Sequence, residues 1–463
     1  MRNDTDLIYQ MVRHVLKTRY GDLPQNVVER TKGAIIDTLG IAIAGSPAPG
    51  CPELVGLVKD WGGKPESTIL AYGGKVPAPE AALANSTMAR ALDFADVHEG
   101  GDGKGVGGFL SATIIPASFA VAEYSKKSVT GKDFILATTL GSDLSCRLRM
   151  AMTPHGWLAE TFNPLGTAAA AGKLLGFDEE KMINGMGIAY AQCAGNMQAH
   201  TDGALTIRLQ QGLAGRAGVF AAILAERGFT GAKNVLQGVY GLYPLYCRDE
   251  YDPAMVTDKL GEVFEVVNIS GKPYPCCRQA HGAIYGTLEI LREHGLKPGE
   301  VAEVTVTVGT TAYKRVADGE QKYKPRSVVD AQFSLPYTVA TALLKGDVFI
   351  ADFTEEAIKN QQTLGFARRV KVRLDPELDK LSEIPPNSVE ITTRDGKRYS
   401  KYVEYVKGHP KNPMSMAEYI DKFRKCVPFS AKPIPEGNVM KVIEMAERLE
   451  EVADVTEIVK QLA

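Results

Sequence analysis

The sequence predicts a mainly α protein with an α+β second domain: a large all-helical bundle domain plus a smaller α/β lid domain inserted before C-terminal helices that return to the bundle. Three observations predict it. Residues 1–268 carry apolar side chains at helical spacing, one segment after another. Residues 269–408 switch to a period of two, broken by short helical stretches. Residues 409–463 become helical again. At 463 residues the chain has length for about two or three domains and for a core that needs no disulfide or metal staple.

In chain order, a helix opens at Pro24 and runs to Ala44, with Val28, Ile35, Leu39, Ala42 and Ile43 on one face and Gly45 as its stop. A segment from Ala81 to Leu92 reads as helix, and the Ala run within Gly166–Leu175 ends at Gly176. A further helix sets Leu213, Ala217, Phe220, Ala221 and Leu224 on one stripe and stops at Gly228. Small residues inside these helices permit close helix–helix approach. In the second domain, Val304, Val306 and Val308 alternate with threonines, Val370, Val372 and Leu374 alternate similarly, and Asp395-Gly396 joins two further strands as a hairpin. Helices are expected near Gln279–His294 and Thr338–Leu344. Ser415 with Glu418 forms a capping box that opens the returning helices.

Charge narrows the function. With 53 Lys and Arg against 55 Asp and Glu, the net charge of −2 argues against nucleic acid or an anionic membrane as partner. The apolar run Leu110–Ala122 contains Pro116 and falls short of the ~20 residues of a membrane span. Seven scattered cysteines without a Cys-x-x-Cys pair fit a reducing compartment. The N-terminus lacks a signal-peptide pattern, so a cytoplasmic location is expected.

Two stretches hold most of the chemistry. Asp93, Asp96 and His98 precede a glycine-rich loop, Gly100–Gly108; on a helix the two carboxylates, three apart, would share a face. No third ligand completes a metal set there, and His98 also suits a helix C-terminus. Gly103-x-Gly105-x-x-Gly108 has dinucleotide spacing but no preceding strand, and Gly103-Lys104 lacks the Ser or Thr of a phosphate loop. An active-site loop is the better reading. The second stretch, Lys272 to His281, brings Lys272, Cys277, Arg278 and His281 to the start of a helix, where cations and helix dipole favour anions. His281 is a candidate acid or base, and Cys277 a candidate thiolate. No Gly-x-Ser-x-Gly elbow or His-Glu-x-x-His occurs.

Six motifs then carry a resemblance. Ala91-Leu92-Asp93-Phe94, Ile114-Ile115-Pro116-Ala117, Gly166 to Gly176, Glu226 to Gly231, Lys272 to His281 and Gln332-Phe333-Ser334-Leu335-Pro336-Tyr337 occur in this order. Together they resemble the MmgE/PrpD family over nearly the whole chain. The resemblance implies a helical domain and a lid with the active site in the cleft between them. It also implies a homodimer, small polycarboxylate substrates, and no metal, iron–sulfur cluster or organic cofactor. Activities in the family include 2-methylcitrate dehydration, cis-aconitate decarboxylation and iminodisuccinate epimerisation. Catalytic positions carried over are Asp93, Lys272, His281 and Tyr337; Arg208, Arg278, His98 and Cys277 are expected to contact substrate.

Removing a proton next to a carboxylate requires a base and fixed cations that stabilise the growing charge. His281 or Lys272 would move the proton and Tyr337 would return one. The chain departs from the family pattern at Val97 and at three usual histidines, where it has Phe109, Leu158 and Gln210. Either His98, His155 or His200 substitutes for them, or the substrate is different and less anionic. The leading expectation is a lyase eliminating water from a small hydroxy-polycarboxylate. Epimerisation of a dicarboxylate, decarboxylation of a cis-aconitate-like acid, and a non-catalytic acid-binding relative stand behind it.

Overall fold

The helix expected from Pro24 forms at Gln25–Gly45, with Pro24 immediately before its first turn and nearly all its length buried. The structure is a computed structural model that describes residues 5–99, 108–153, 155–381 and 384–463. Around this helix pack Ala78–Arg90, Ser111–Tyr124, Gly131–Met150, Asn163–Leu175 and Thr206–Glu226. Gly176 takes the left-handed conformation (φ 71°) that closes Asn163–Leu175, as its position after the Ala run predicts. The stripe expected on Thr206–Glu226 is only half buried. Ala217 and Ala221 face the core, whereas Leu213 and Phe220 are 46% and 43% exposed. The helix is packed through its small residues, so its large apolar side chains are left outside.

The second region is α+β. Its sheet runs in the order Val370–Leu374, Val301–Val308, Asn387–Thr393, Arg398–Val403. The first pair is parallel and the others antiparallel, with Val304 opposite both Val370 and Ile391. The hairpin turn falls at Gly396, whose φ of 85° explains the glycine. Helices His281–His294 and Leu335–Lys345 cover one face, where Ala283, Ile290, Val339 and Leu343 join Val304, Val306, Val389 and Ile391 in one core.

The closing helices, Met416–Cys426 and Glu436–Glu447, pack into the helical core through Tyr419, Phe423, Val442 and Ile443. The capping box of Ser415 and Glu418 is formed. Two glycines of the long first helix admit this return. A Cβ on Gly33 would lie 2.6 Å from the Tyr419 ring, and one on Gly40 would lie 3.1 Å from the Phe423 Cα. All seven cysteines are buried and unpaired. No helix among the described residues is long and apolar enough to cross a membrane.

Candidate active site

The site begins where the Ala78–Arg90 helix stops. Sequence spacing extended that helix to Leu92 and placed Asp93 and Asp96 on one helical face. Instead the chain breaks after Arg90, and Asp93 takes a left-handed backbone (φ 53°) that non-glycine residues seldom adopt. The turn folds its carboxylate back so that Arg90 Nη1 donates to Oδ1 at 3.0 Å. Asp96 points elsewhere and accepts the Ser111 hydroxyl.

The other half arrives from 179 residues away. Val97–His98 pairs antiparallel with Ile269–Ser270, a two-residue ladder that sets Lys272 opposite Asp93. This places His98 in a strand rather than at a helix end. The Lys272 ammonium donates to the Asp93 carbonyl at 2.9 Å and to Oδ2 at 3.2 Å. A second buried lysine fixes both backbones. Lys422 donates to the carbonyls of Phe94 (3.0 Å) and Lys272 (2.8 Å), and Asp37 balances its charge at 2.6 Å.

Burial works to raise the Asp93 carboxyl, but Lys272 and Arg90 outweigh it and hold the group below its ordinary range. Burial lowers the Lys272 ammonium against the pull of Asp93, bringing it nearer to proton exchange. The Phe109 ring lies 3.8 Å from the Arg90 guanidinium and 5.1 Å from Lys272 Nζ, so an aromatic face supports both cations.

These groups open onto a cavity of about 480 Å³ whose apolar wall includes Phe109, Trp157, Leu158, Met197, Ile207 and Phe333. Glu160 also lines it. Burial raises its carboxyl, and Arg90 partly offsets that rise. His200 faces the cavity with its imidazole lowered by burial and by Arg315, hence neutral near pH 7. An adjoining cavity of about 340 Å³ shares Arg90, Asp93, His200, Ile207, Arg315 and Phe333 with the first.

Of the expected site residues, Asp93, Lys272, His98, Cys277 and Arg278 line the main cavity. Arg208 lines the adjoining one, with Nη1 engaged by the Pro49 carbonyl at 2.9 Å. Arg278 is held by Glu99, to which Nε and Nη2 both donate, while Nη1 meets His281 Nδ1 and the Lys407 carbonyl. Its donors serve the protein rather than a ligand. His281 is fully buried behind Arg278, with Nε2 at 3.2 Å from the Cys276 carbonyl; burial, Arg278 and Lys272 keep it neutral. Tyr337 lies in the second region's core and donates to the Asp352 carbonyl at 2.6 Å. Neither His281 nor Tyr337 lines the cavity. Burial and the nearby Asp93 raise the Cys277 thiol, which disfavours a thiolate. Gln210 turns to Asn196, whose backbone amide donates to its side chain at 2.7 Å.

Sequence reasoning missed Arg90, Glu160, Arg315 and Phe333. Phe333 lay within a quoted motif, and Arg90 sits three residues before Asp93; nothing in the pattern marks Glu160 or Arg315. The Gly100–Gly108 loop, apart from Gly108, lies outside the described residues. Among the described residues no group of three His, Cys, Asp or Glu side chains is placed to hold a metal ion.

The cavity has a charged floor under an apolar wall, and residues of both the helical region and the α+β region line it. The chain belongs to the MmgE/PrpD family: residues 9–254 match the MmgE/PrpD N-terminal domain and residues 274–448 the C-terminal domain. It is 24% identical to the cis-aconitate decarboxylase-like protein oryM of Aspergillus oryzae, over 97% of this chain and 95% of that protein. Against the cis-aconitate decarboxylase of Aspergillus terreus identity is 26%, over 95% and 92%. Against the 2-methylcitrate dehydratase of Cupriavidus necator it is 23%, over 88% and 87%.

Proposed function

We propose that the chain is a lyase that decarboxylates a small unsaturated polycarboxylate. The observation that carries this reading is the division of one cavity into a cationic floor, Arg90 and Lys272 around Asp93, and an apolar wall at Phe109, Trp157 and Leu158. The floor anchors the carboxylates that are retained, with Arg90 suited to a fork-like contact. The carboxylate to be lost lies against the apolar wall, where its charge is poorly solvated and release of neutral CO₂ is favoured. Breaking that C–C bond leaves an electron pair that shifts through the double bond towards a retained carboxylate. Lys272 or Glu160 then delivers a proton to carbon, and solvent restores the donor.

Elimination of water, placed first on sequence alone, moves to second place. Expelling hydroxide needs an acid at the leaving oxygen; Glu160 or Lys272 would have to reach it, whereas the wall of Phe109, Trp157 and Leu158 presents hydrocarbon. The similarity to a 2-methylcitrate dehydratase keeps it as the alternative.

The test is proton NMR in D₂O with cis-aconitate, citrate and 2-methylcitrate. Decarboxylation is expected to yield a product with one deuterium on carbon, with stoichiometric CO₂. New olefinic signals from the hydroxy acids, with cis-aconitate unchanged, would reverse the order. Turnover is expected to be insensitive to EDTA. A homodimer is part of the proposal, supported by the exposed apolar side chains of Val239 and Tyr240 (81% and 78%) and of Phe220 and Phe229. A monomeric mass by light scattering would overturn that part.

A further inference from the structure

Carboxylates account for one side of the site only. Ile207 and Phe333 stand at the junction of the two cavities, and beyond them Leu205 and Val329 line the second. Leu205 and Val329 are 48% and 41% exposed, apolar surface left uncovered inside a concavity. Each cavity alone falls in the range of roughly 300–1,000 Å³ that holds ligands larger than a bare tricarboxylic acid. Asp93 and Arg90 border both cavities, Lys272 only the first, and Phe109 and Leu158, which stand where the family resemblance leads one to expect histidines, add apolar surface to the first.

The geometry points to a substrate whose polycarboxylate head carries a linear alkyl chain of several carbons, the chain passing between Ile207 and Phe333 to lie on Leu205 and Val329. The inference rests on the polycarboxylate reading above and names the rest of the substrate. A chain in this path is removed from water at both ends of the junction, so each methylene adds affinity. Arg90, Lys314 and Arg315 also border the second cavity, so the chain lies along the apolar strip between basic groups, two of which are engaged elsewhere. Lys322 is turned to the carbonyls of Arg315 and Phe333, and Arg208 to that of Pro49.

Isothermal titration of the full-length protein with succinate, methylsuccinate, butylsuccinate and octylsuccinate tests this without requiring turnover. Affinity is expected to rise about fourfold per methylene over the first carbons, so that butylsuccinate binds about 10²-fold tighter than succinate. Val329→Ser and Leu205→Ser are each expected to shrink the ratio of succinate Kd to octylsuccinate Kd severalfold. The ratio is read within each variant, so a general loss of affinity cannot imitate the effect. Equal affinity across the series, or loss of affinity with length, overturns the inference and leaves the polycarboxylate reading standing. Absence of binding by every member takes down both.

Discussion

Three acids spaced three residues apart, Asp93, Asp96 and Glu99, are all buried, yet they meet different fates. Glu99 is closed. It takes two donors from Arg278, whose third side is filled by His281 and the Lys407 carbonyl, and the pair fastens one region to the other. Asp93 is open. It is shared between Arg90 and Lys272 on a left-handed backbone, and all three groups face a cavity. Asp96 lacks an ion pair among the described residues, and burial pushes its carboxyl up to about 6 despite the Ser111 hydroxyl. Acidic residues on one short stretch thus serve as fastener, cavity-facing ion pair and buried carboxyl that gives up its proton only near pH 6. Partners supplied from elsewhere decide which.

The widest gap between fastener and reaction site should appear on removing one partner. Glu99→Ala leaves the Arg278 guanidinium buried without its counter-charge and is expected to cost about 3–5 kcal/mol in denaturant unfolding. The double change Glu99→Met with Arg278→Met should recover most of it. A double variant as unstable as the single one would break the contrast. Lys272→Ala leaves Asp93 its Arg90 partner, so its main effect is on chemistry: turnover is expected to fall about 10²-fold or more with a smaller stability loss. Unchanged kcat/KM would remove Lys272 from the site.

Asp96 supplies the pH dependence. Its folded-state value, about 6, lies above the ordinary carboxyl value of 3.8, so the folded protein holds the proton more tightly. Its contribution is most favourable below pH 4, is lost as pH rises through about 6, and stays constant above. Asp96→Asn removes this loss. The stability difference, variant minus parent, should grow by about 2–3 kcal/mol between pH 4 and pH 7. A difference independent of pH would place the Asp96 titration at its unfolded value. The smallest effect is expected from Tyr337→Phe, which removes one buried hydrogen bond for about 1 kcal/mol and leaves turnover unchanged. A large drop in kcat would bring Tyr337 back to the chemistry.

Architecture was legible because it follows from local periodicity. Val304, Val306 and Val308 announce a strand wherever they occur, and Ser415 with Glu418 opens a helix by itself. The site was legible only in its parts. Asp93 and Lys272 stood out in motifs, but their contact depends on the ladder between Val97–His98 and Ile269–Ser270, too short to show a period. Spacing misled at Asp93, because a helical pattern cannot report that the next residue turns left-handed. His281 and Tyr337 carried the right chemistry in the right motifs and still face inward, since Arg278 stands between His281 and the cavity and Asp352 takes the Tyr337 hydroxyl. The Leu213 and Phe220 stripe failed for a related reason: small residues provided the close contact, and the bulky ones were left outside.

The Lys422 ammonium, bonded to the Phe94 carbonyl from 328 residues away, sets the order in which this protein can be finished. At roughly 5–20 residues per second of synthesis, tens of seconds separate the emergence of Phe94 from that of Lys422. Throughout that interval the grooves at Gly33 and Gly40 wait without Tyr419 and Phe423. Until then the nascent helical half leaves that apolar surface uncovered. The backbones that carry Asp93 and Lys272 are tied together only once the returning helix docks.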